Sequence, residues 1–191
     1  MEEQQQFDSE HEEGTTAATT NNKTSSPSKK HSSSGGNKIK HNTFIIQKYI
    51  EKPLLIFKRK FDIRVWVLLT SDHDLYFFKE GYLRTSSTEF GIDLENIDNA
   101  FVHLTNNAVQ KHAENYGDFE DGNMLSFPRF QEYIDEHYPE SKVNVYDHLV
   151  PQMHEIIIKT FNAVRKTIDP NRRKSCFELF GYDFILDEDF N

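Results

Sequence analysis

From Lys60 to Leu69 the side chains alternate with the two-residue period of a β-strand. Phe61, Ile63, Val65 and Val67 make one apolar row, and Lys60, Asp62, Arg64 and Trp66 make a second row on the opposite face. A chain built around this segment needs a core against one side only. On the other side, a cation, an anion and a second cation stand in line, costly to bury unless each meets water, a partner or a ligand. The pattern alone reads first as an exposed sheet face with cross-strand ion pairs, and second as the wall of a ligand cleft. Arg84 shares a face with Tyr82 and Ser86. If its strand neighbours this one, two arginines and a lysine line one cleft suited to phosphate or carboxylate groups.

The elements around this strand predict an α+β domain. Phe44–Ile50 reads as a mostly buried strand stopped by Pro53. After turn signals at Ser71–Asp74 come strands at Leu75–Lys79 and Tyr82–Ser86, an arrangement that suggests an antiparallel meander. Ser126 is placed to cap a helix over Pro128–His137, with Phe127, Phe130, Tyr133 and Ile134 on one face. Leu149, Met153, Ile156, Ile157, Phe161, Val164 and Ile168 recur at helical spacing, with Pro151 in the first turn and Pro170 beyond the end. Cys176–Leu186 closes the series as a strand containing Gly181.

Residues 1–40 differ in kind. They hold five apolar side chains and several Gln, Thr, Asn and Ser runs, which predicts a disordered low-complexity tail ahead of a folded segment at 41–191. The net charge of the whole chain is −9, and residues 41–191 keep 25 acidic against 17 basic side chains. That balance excludes a generally basic nucleic-acid surface. A single cysteine excludes an intrachain disulfide framework and fits a reducing compartment. No apolar run reaches the length of a membrane span, and the acidic N-terminus lacks a signal peptide's order, so a soluble cytosolic protein is expected.

Three further groups carry possible chemistry. Thr105 and Asn106, after Phe101-Val102-His103-Leu104, either coordinate a ligand or cap a turn, the commoner use. His103, between Val102 and Leu104, reads as a hydrogen-bonded structural residue before it reads as an acid or base. Asp183, amid Phe and Ile beside Gly181, needs a partner; magnesium is one candidate and an ion pair the commoner one. Composition and spacing lead as far as an α+β domain with a polar cleft for an anionic ligand.

The ordered series Gln47-Lys48-Tyr49-Ile50, Arg59-Lys60-Phe61-Asp62-Ile63-Arg64, Lys79–Thr85, His103-Leu104-Thr105-Asn106, Tyr116-Gly117 through Gly122-Asn123, and Phe177–Phe184 resembles the tubulin tyrosine ligase family. The resemblance spans roughly residues 44–191 and implies a partial ATP-grasp fold, mainly antiparallel sheet with packed helices. It also implies an ATP-dependent ligase that joins an amino acid to a carboxylate of tubulin through an acyl phosphate. By this likeness Gln47, Lys48, Tyr49 and Ile50 form the adenine hinge, Lys60 and Asp62 contact nucleotide, and Thr105 and Asn106 lie near the phosphates. Arg64 and Arg84 belong to the amino-acid and acceptor site, and Asp183 is the first magnesium carboxylate. The implied partners are the acidic C-terminal tail of tubulin and a free amino acid, with ATP and Mg2+ as cofactors, in the cytoplasm and microtubule cytoskeleton.

The departures shape the expectation further. In the family a glutamate and an asparagine on the strand after Asp183 complete the magnesium site, and lysines ahead of the hinge bind phosphate. Neither set falls within this sequence, so weak magnesium binding by this chain alone is expected. Arg84-Thr85-Ser86-Ser87 and Asn115–Asn123 look closest to tyrosine addition, ranked ahead of glutamate and then glycine. A non-catalytic, truncated tubulin-binding relative stands as the alternative.

Overall fold

The computed structural model describes residues 45–191, so the expectation of a disordered tail over residues 1–40 lies outside the described residues. In chain order come β1 (Leu55–Ile56), β2 (Arg59–Thr70), β3 (Leu75–Phe77) and β4 (Tyr82–Glu89), followed by short helices α1 (Ala100–His103) and α2 (Asn107–Gln110). Then follow β5 (Met124–Ser126), α3 (Phe127–His137), α4 (Val150–Val164) and β6 (Phe177–Phe184). The α+β expectation holds: one six-stranded sheet, antiparallel at every pairing, carries the two longer helices, α3 and α4, on one side.

Strand β2, 12 residues long, is the hub. Along one edge it pairs with β1 and then β6; along the other it pairs with β4 and then β3. This differs from the expected meander, because β4 returns to β2 instead of pairing with β3. Gly81 explains the return. A Cβ there would lie 2.8 Å from the Arg64 carbonyl oxygen and 2.5 Å from the Phe127 ring, so only glycine lets the chain touch β2 before β4 begins.

The apolar row of β2 is the floor of the core: Phe61, Ile63, Val65 and Val67 are each at most 1 % exposed. Helix α3 covers it with the predicted face, Phe127, Phe130, Tyr133 and Ile134, all buried. The Phe130 ring meets Phe61 edge-on at 5.2 Å. Helix α4 adds Met153, Ile157 and Phe161, the last packed on Phe180 of β6. Both helices therefore sit on the odd-numbered side of β2, and the even-numbered side is left for other uses.

Four expectations are corrected. Ser126 stands at the N-cap of α3, yet its side chain makes no capping bond. Helix α4 is shorter than the apolar spacing implied: Leu149 belongs to a π-helical turn, Val145–Leu149, and Ile168 lies past the last turn. Ile156 and Val164 are 49 % and 37 % exposed, so the stripe of α4 that meets the core is Met153, Ile157 and Phe161. Residues 45–50 form no strand and are exposed, Ile46 at 97 %, instead of the mostly buried strand expected over Phe44–Ile50. Apolar residues alone do not make a strand when no neighbouring edge offers backbone partners. Cys176 lies one residue before β6, with its thiol directed to the Arg173 carbonyl at 3.2 Å. Among the described residues no helix is long and apolar enough to cross a membrane.

Candidate functional site

The antiparallel register builds the site. Asp62 on β2 stands directly opposite Arg84 on β4, and Arg64 stands opposite Asp183 on β6. Residues opposite one another share a face, so all four side chains converge on the side of β2 that α3 and α4 leave uncovered. The Arg84 guanidinium bonds both Asp62 carboxylate oxygens through Nε at 3.1 Å, and its terminal nitrogen bonds Asp62 as well. The same nitrogen reaches Asp183 Oδ2 at 2.8 Å. Arg64 then grips Asp183 with two nitrogens, Nη2 meeting Oδ2 at 3.1 Å. The result is an alternating row, Asp62–Arg84–Asp183–Arg64, with no net charge.

Burial grades along the row. The Asp62 and Arg84 side chains are 5 % and 10 % exposed, Arg64 18 % and Asp183 42 %. Gly181 makes room at the open end, where a Cβ would sit 3.2 Å from the Arg64 guanidinium and 3.2 Å from Trp66. The indole in turn lies under the Arg64 guanidinium at 5.1 Å. Burial raises the Asp183 pKa, but Arg64 and Arg84 outweigh it and hold the carboxyl below its ordinary value. Burial likewise opposes the charge on Arg84, and Asp62 and Asp183 more than offset it.

Lys60 lies two residues earlier in the same row but belongs to a separate hydrogen-bonded chain. Its ammonium donates to the Tyr49 hydroxyl at 3.1 Å and to the His103 carbonyl at 3.0 Å, above the Tyr49 ring. His103 Nε2 faces the Asn96 carbonyl at 2.9 Å, which makes that nitrogen the protonated one. Its Nδ1 then accepts from the Tyr49 hydroxyl at 2.8 Å. His103 is thus the hydrogen-bonded residue its apolar neighbours suggested. Burial lowers the Lys60 pKa more than nearby Asp62 raises it. An anion reaching this ammonium would relieve that cost.

The structure gathers most of the residues singled out in the sequence and separates a few. Tyr49, Lys60, Asp62, Arg64, Arg84 and Asp183 form the two linked groups above. Gln47, Lys48 and Ile50 lie on the exposed, unpaired segment, where no backbone group takes part in a sheet ladder. Thr105 is buried, one residue beyond the Leu104 that follows the His103 carbonyl. Asn106 is the N-cap of α2 without a side-chain capping bond, so the turn-capping use fails in its side-chain detail. Among the described residues no three His, Cys, Asp or Glu side chains gather to hold a metal ion. Magnesium bound with a nucleotide needs only one or two carboxylates beside the phosphates and water; Asp183 is half open, and both its oxygens are engaged by Arg64 and Arg84.

Sequence reasoning missed Arg59. It is 1 % exposed, and it grips Glu120 with both terminal nitrogens while stacking at 4.2 Å on Phe119. It also bonds the Ser86 carbonyl and the Thr85 hydroxyl, and Asn123 clasps Thr85 and Ser87 from the other side. This cluster pins the loop at 115–123 against β4 beside Arg84. Arg59 shares the odd parity of Phe61, which was a usable signal of burial, but its acid lies 61 residues away.

Comparison with known proteins fits this geometry. The model of the tubulin-tyrosine ligase family matches residues 8–191. Tubulin glycylase 3B of Tetrahymena thermophila is 35 % identical over 153 residues, covering 79 % of this chain and 12 % of that protein. Human tubulin monoglycylase TTLL3 is 39 % identical over 158 residues, covering 80 % of the chain and 20 % of that protein. The probable tubulin polyglutamylase TTLL9 of Bos taurus is 38 % identical over 156 residues, covering 80 % and 32 %. The chain therefore spans less than a third of the length of these relatives. The match over nearly the whole sequence, with these identities, makes the chain a member of the tubulin-tyrosine ligase family, whose ATP-grasp-like fold its sheet and helices suit.

Proposed function

We propose that this domain forms part of an ATP-dependent ligase that adds glycine or glutamate to a carboxylate of tubulin. The observation that carries the reading is the Asp62–Arg84–Asp183–Arg64 row, a preformed guanidinium pair at the open face of the sheet. The relatives are named for glycine and glutamate addition, so those substrates take the place of the tyrosine ranked first from the 84–87 and 115–123 segments.

In this reading residues 47–50 offer unpaired backbone groups to the adenine edge. Lys60, held by Tyr49 and by the carbonyl that precedes Leu104 and Thr105, contacts phosphate, with Thr105 and Asn106 at its flank. Asp62 keeps Arg84 oriented from below. Arg64 and Arg84 take the carboxylate of the incoming amino acid by exchanging it for Asp183, so the guanidiniums stay paired throughout. The acceptor carboxylate attacks the γ-phosphorus of ATP, forming an acyl phosphate and releasing ADP. The free amine then attacks the carbonyl carbon, the C–N bond forms, and phosphate leaves as the amine loses a proton to water. Magnesium held at Asp183 with the nucleotide would neutralise charge on the transferring phosphoryl group. Tubulin as partner and the microtubule cytoskeleton as location follow from the same reading.

The test is calorimetry of ATP binding to the 191-residue chain, with magnesium and with chelator, followed by incorporation of labelled glycine, glutamate and tyrosine into tubulin. Magnesium-dependent binding, weak in this chain alone, with glycine or glutamate incorporation is expected. Tyrosine incorporation would return the first ranking. ATP binding without transfer of any amino acid would favour the non-catalytic, tubulin-binding alternative.

A further inference from the structure

The segment between α4 and β6 carries a charge pattern that the arginine row does not use. Arg172-Arg173-Lys174 comes directly before Ser175, and β6 begins two residues later. No other serine or threonine in the sequence has arginines both two and three positions before it. Residues 172–176 lie outside helix and strand, and Ser175 is exposed. Arg172 (φ 47°) and Ser175 (φ 58°) both take the left-handed backbone region that a Cβ disfavours, so drawing the segment out into an extended form relieves strain. In the folded loop, Asp169 accepts from the Arg173 amide at 2.7 Å and from its Nε at 3.2 Å. Arg172, Arg173 and Lys174 share one cavity of about 880 Å³ with Arg165 and Lys166 from the C-terminal end of α4. Five cations face two carboxylates there, Asp72 and Asp169, in a chain whose net charge is −9. Among the described residues only Arg173 of the five lies within 4.0 Å of an acid. Lys174 lines this cavity and Cys176 a neighbouring one, which places Ser175 between them.

We propose that Ser175 is a phosphorylation site, modified by a protein kinase that recognises arginines ahead of its target serine, and that the phosphate then docks among the five cations. In the transfer, the Ser175 hydroxyl oxygen attacks the γ-phosphorus of the kinase's ATP. The bond from that phosphorus to the β-phosphate oxygen breaks, ADP leaves, and the hydroxyl proton passes to the kinase's catalytic aspartate. A kinase of this class holds substrate arginines with its own carboxylates and needs an exposed segment that extends into its cleft. Arg172 to Ser175 supplies both. The phosphate brings up to about two negative charges at pH 7 and three acceptor oxygens. Guanidinium groups match it bidentately. Cations that repel one another in the unmodified loop thereby gain a common partner, and the loop between α4 and β6 is held in place. Thr167 is the nearest rival, because it follows Arg165-Lys166. Its hydroxyl, however, is bonded to the Val164 carbonyl at 3.0 Å in the turn that closes α4. The proposal is independent of the ligase reading, since neither the arginine row nor Lys60 takes part.

The experiment incubates the full 191-residue chain with magnesium, ATP and the catalytic subunit of cAMP-dependent protein kinase, and maps the product by peptide mass spectrometry. Hydrogen exchange of residues 165–176 is then compared before and after phosphorylation. The variants are Ser175→Ala, Arg172→Gln/Arg173→Gln, which removes the recognition arginines, and Arg165→Gln/Lys166→Gln, which removes docking cations alone. All these side chains are exposed, so the folded sheet is expected to survive the changes. The expected product carries one phosphoryl group on Ser175, absent in Ser175→Ala and formed at least tenfold more slowly in Arg172→Gln/Arg173→Gln. Exchange in the loop should slow at least threefold on phosphorylation of the wild type. That slowing should vanish in Arg165→Gln/Lys166→Gln, which is still phosphorylated. No phosphate on Ser175, modification of Thr167 or of residues 1–40 in its place, or an equal rate without the two arginines would each overturn the site. Phosphorylated Ser175 with unchanged exchange, or slowing that persists without Arg165 and Lys166, would overturn the docking.

Discussion

Two arginine–carboxylate systems flank β4, and they have opposite designs. Arg59 and Glu120 are sealed, 1 % and 8 % exposed, and Arg59 also bonds Thr85 and Ser86 within the same closed cluster. The Asp62–Arg84–Asp183–Arg64 row starts with a buried pair, 5 % and 10 % exposed, and its other two members, Asp183 and Arg64, are 42 % and 18 % exposed. A closed pair gives a fixed distance and nothing to exchange. A graded row keeps one end anchored while the other trades partners, as a carboxylate-binding site requires. The same chemistry thus serves as a rivet on one side of β4 and as a receptor on the other.

Breaking the rivet should have the largest effect on folding. Glu120→Ala leaves the Arg59 guanidinium buried without its anion, a change that costs about 3–5 kcal/mol in comparable sites. Urea denaturation should show that loss, and a midpoint within experimental error of wild type would refute the structural role. The row should respond in the reverse sense. Arg64→Ala should lower amino-acid transfer at least 100-fold in an assay that supports it, with stability changed by under about 1 kcal/mol, because its acid is half open and keeps Arg84. Arg84→Ala should abolish transfer while the domain remains folded, at a greater stability loss than Arg64→Ala because Asp62 is left buried. Unchanged transfer in Arg84→Ala would remove the carboxylate-binding assignment.

Lys60 sharpens the contrast further. Its buried ammonium has two neutral oxygens for partners, and burial lowers its pKa. A lysine with a lowered folded pKa subtracts stability while charged, and that penalty fades only as pH rises through the folded value toward the unfolded one. Lys60→Met should therefore match or exceed the wild-type melting temperature while weakening ATP binding at least tenfold. A clear drop in melting temperature would mean that the ammonium helps the fold, against the reading of a charge held ready for phosphate.

These contrasts also mark what was legible in the sequence. Period two in β2 and period 3.6 in α3 named the buried residues correctly, because burial on one face is a local property of spacing. The even row was visible too, as an unexplained line of charges. What converts it into a site is register: Asp62 against Arg84, 22 residues on, and Arg64 against Asp183, 119 residues on. Alternation sets which face a side chain takes and says nothing about its partner across the ladder. The resemblance assigned these residues to one cleft but named none of these pairings. The two clearest misses have the same root. Residues 46–50 look like a strand but lack a neighbouring edge, and Arg59 looks like a surface cation until the loop at 115–123 closes over it.

The smallest expected effect is a pH signature that separates the row from the rivet. Asp183 has a lowered folded pKa, with Arg64 and Arg84 outweighing the burial that would raise it. A depressed carboxylate adds stability above its unfolded pKa and loses it as pH falls through the folded value. The window therefore begins near the ordinary aspartate range, about 3.9, and extends below it. Because Asp183 is half open, solvent screening keeps the contribution under about 1 kcal/mol. Asp183→Asn should remove that share, so its deficit against wild type is full at neutral pH and shrinks as the solution is acidified through the window. The same substitution takes a hard anion from the nucleotide's ion and should weaken magnesium-dependent ATP binding in a magnesium titration. A stability deficit that stays constant with pH would mean that Asp183 acts by shape and not by charge. Unchanged nucleotide affinity beside a pH-dependent deficit would assign Asp183 to holding the arginines alone.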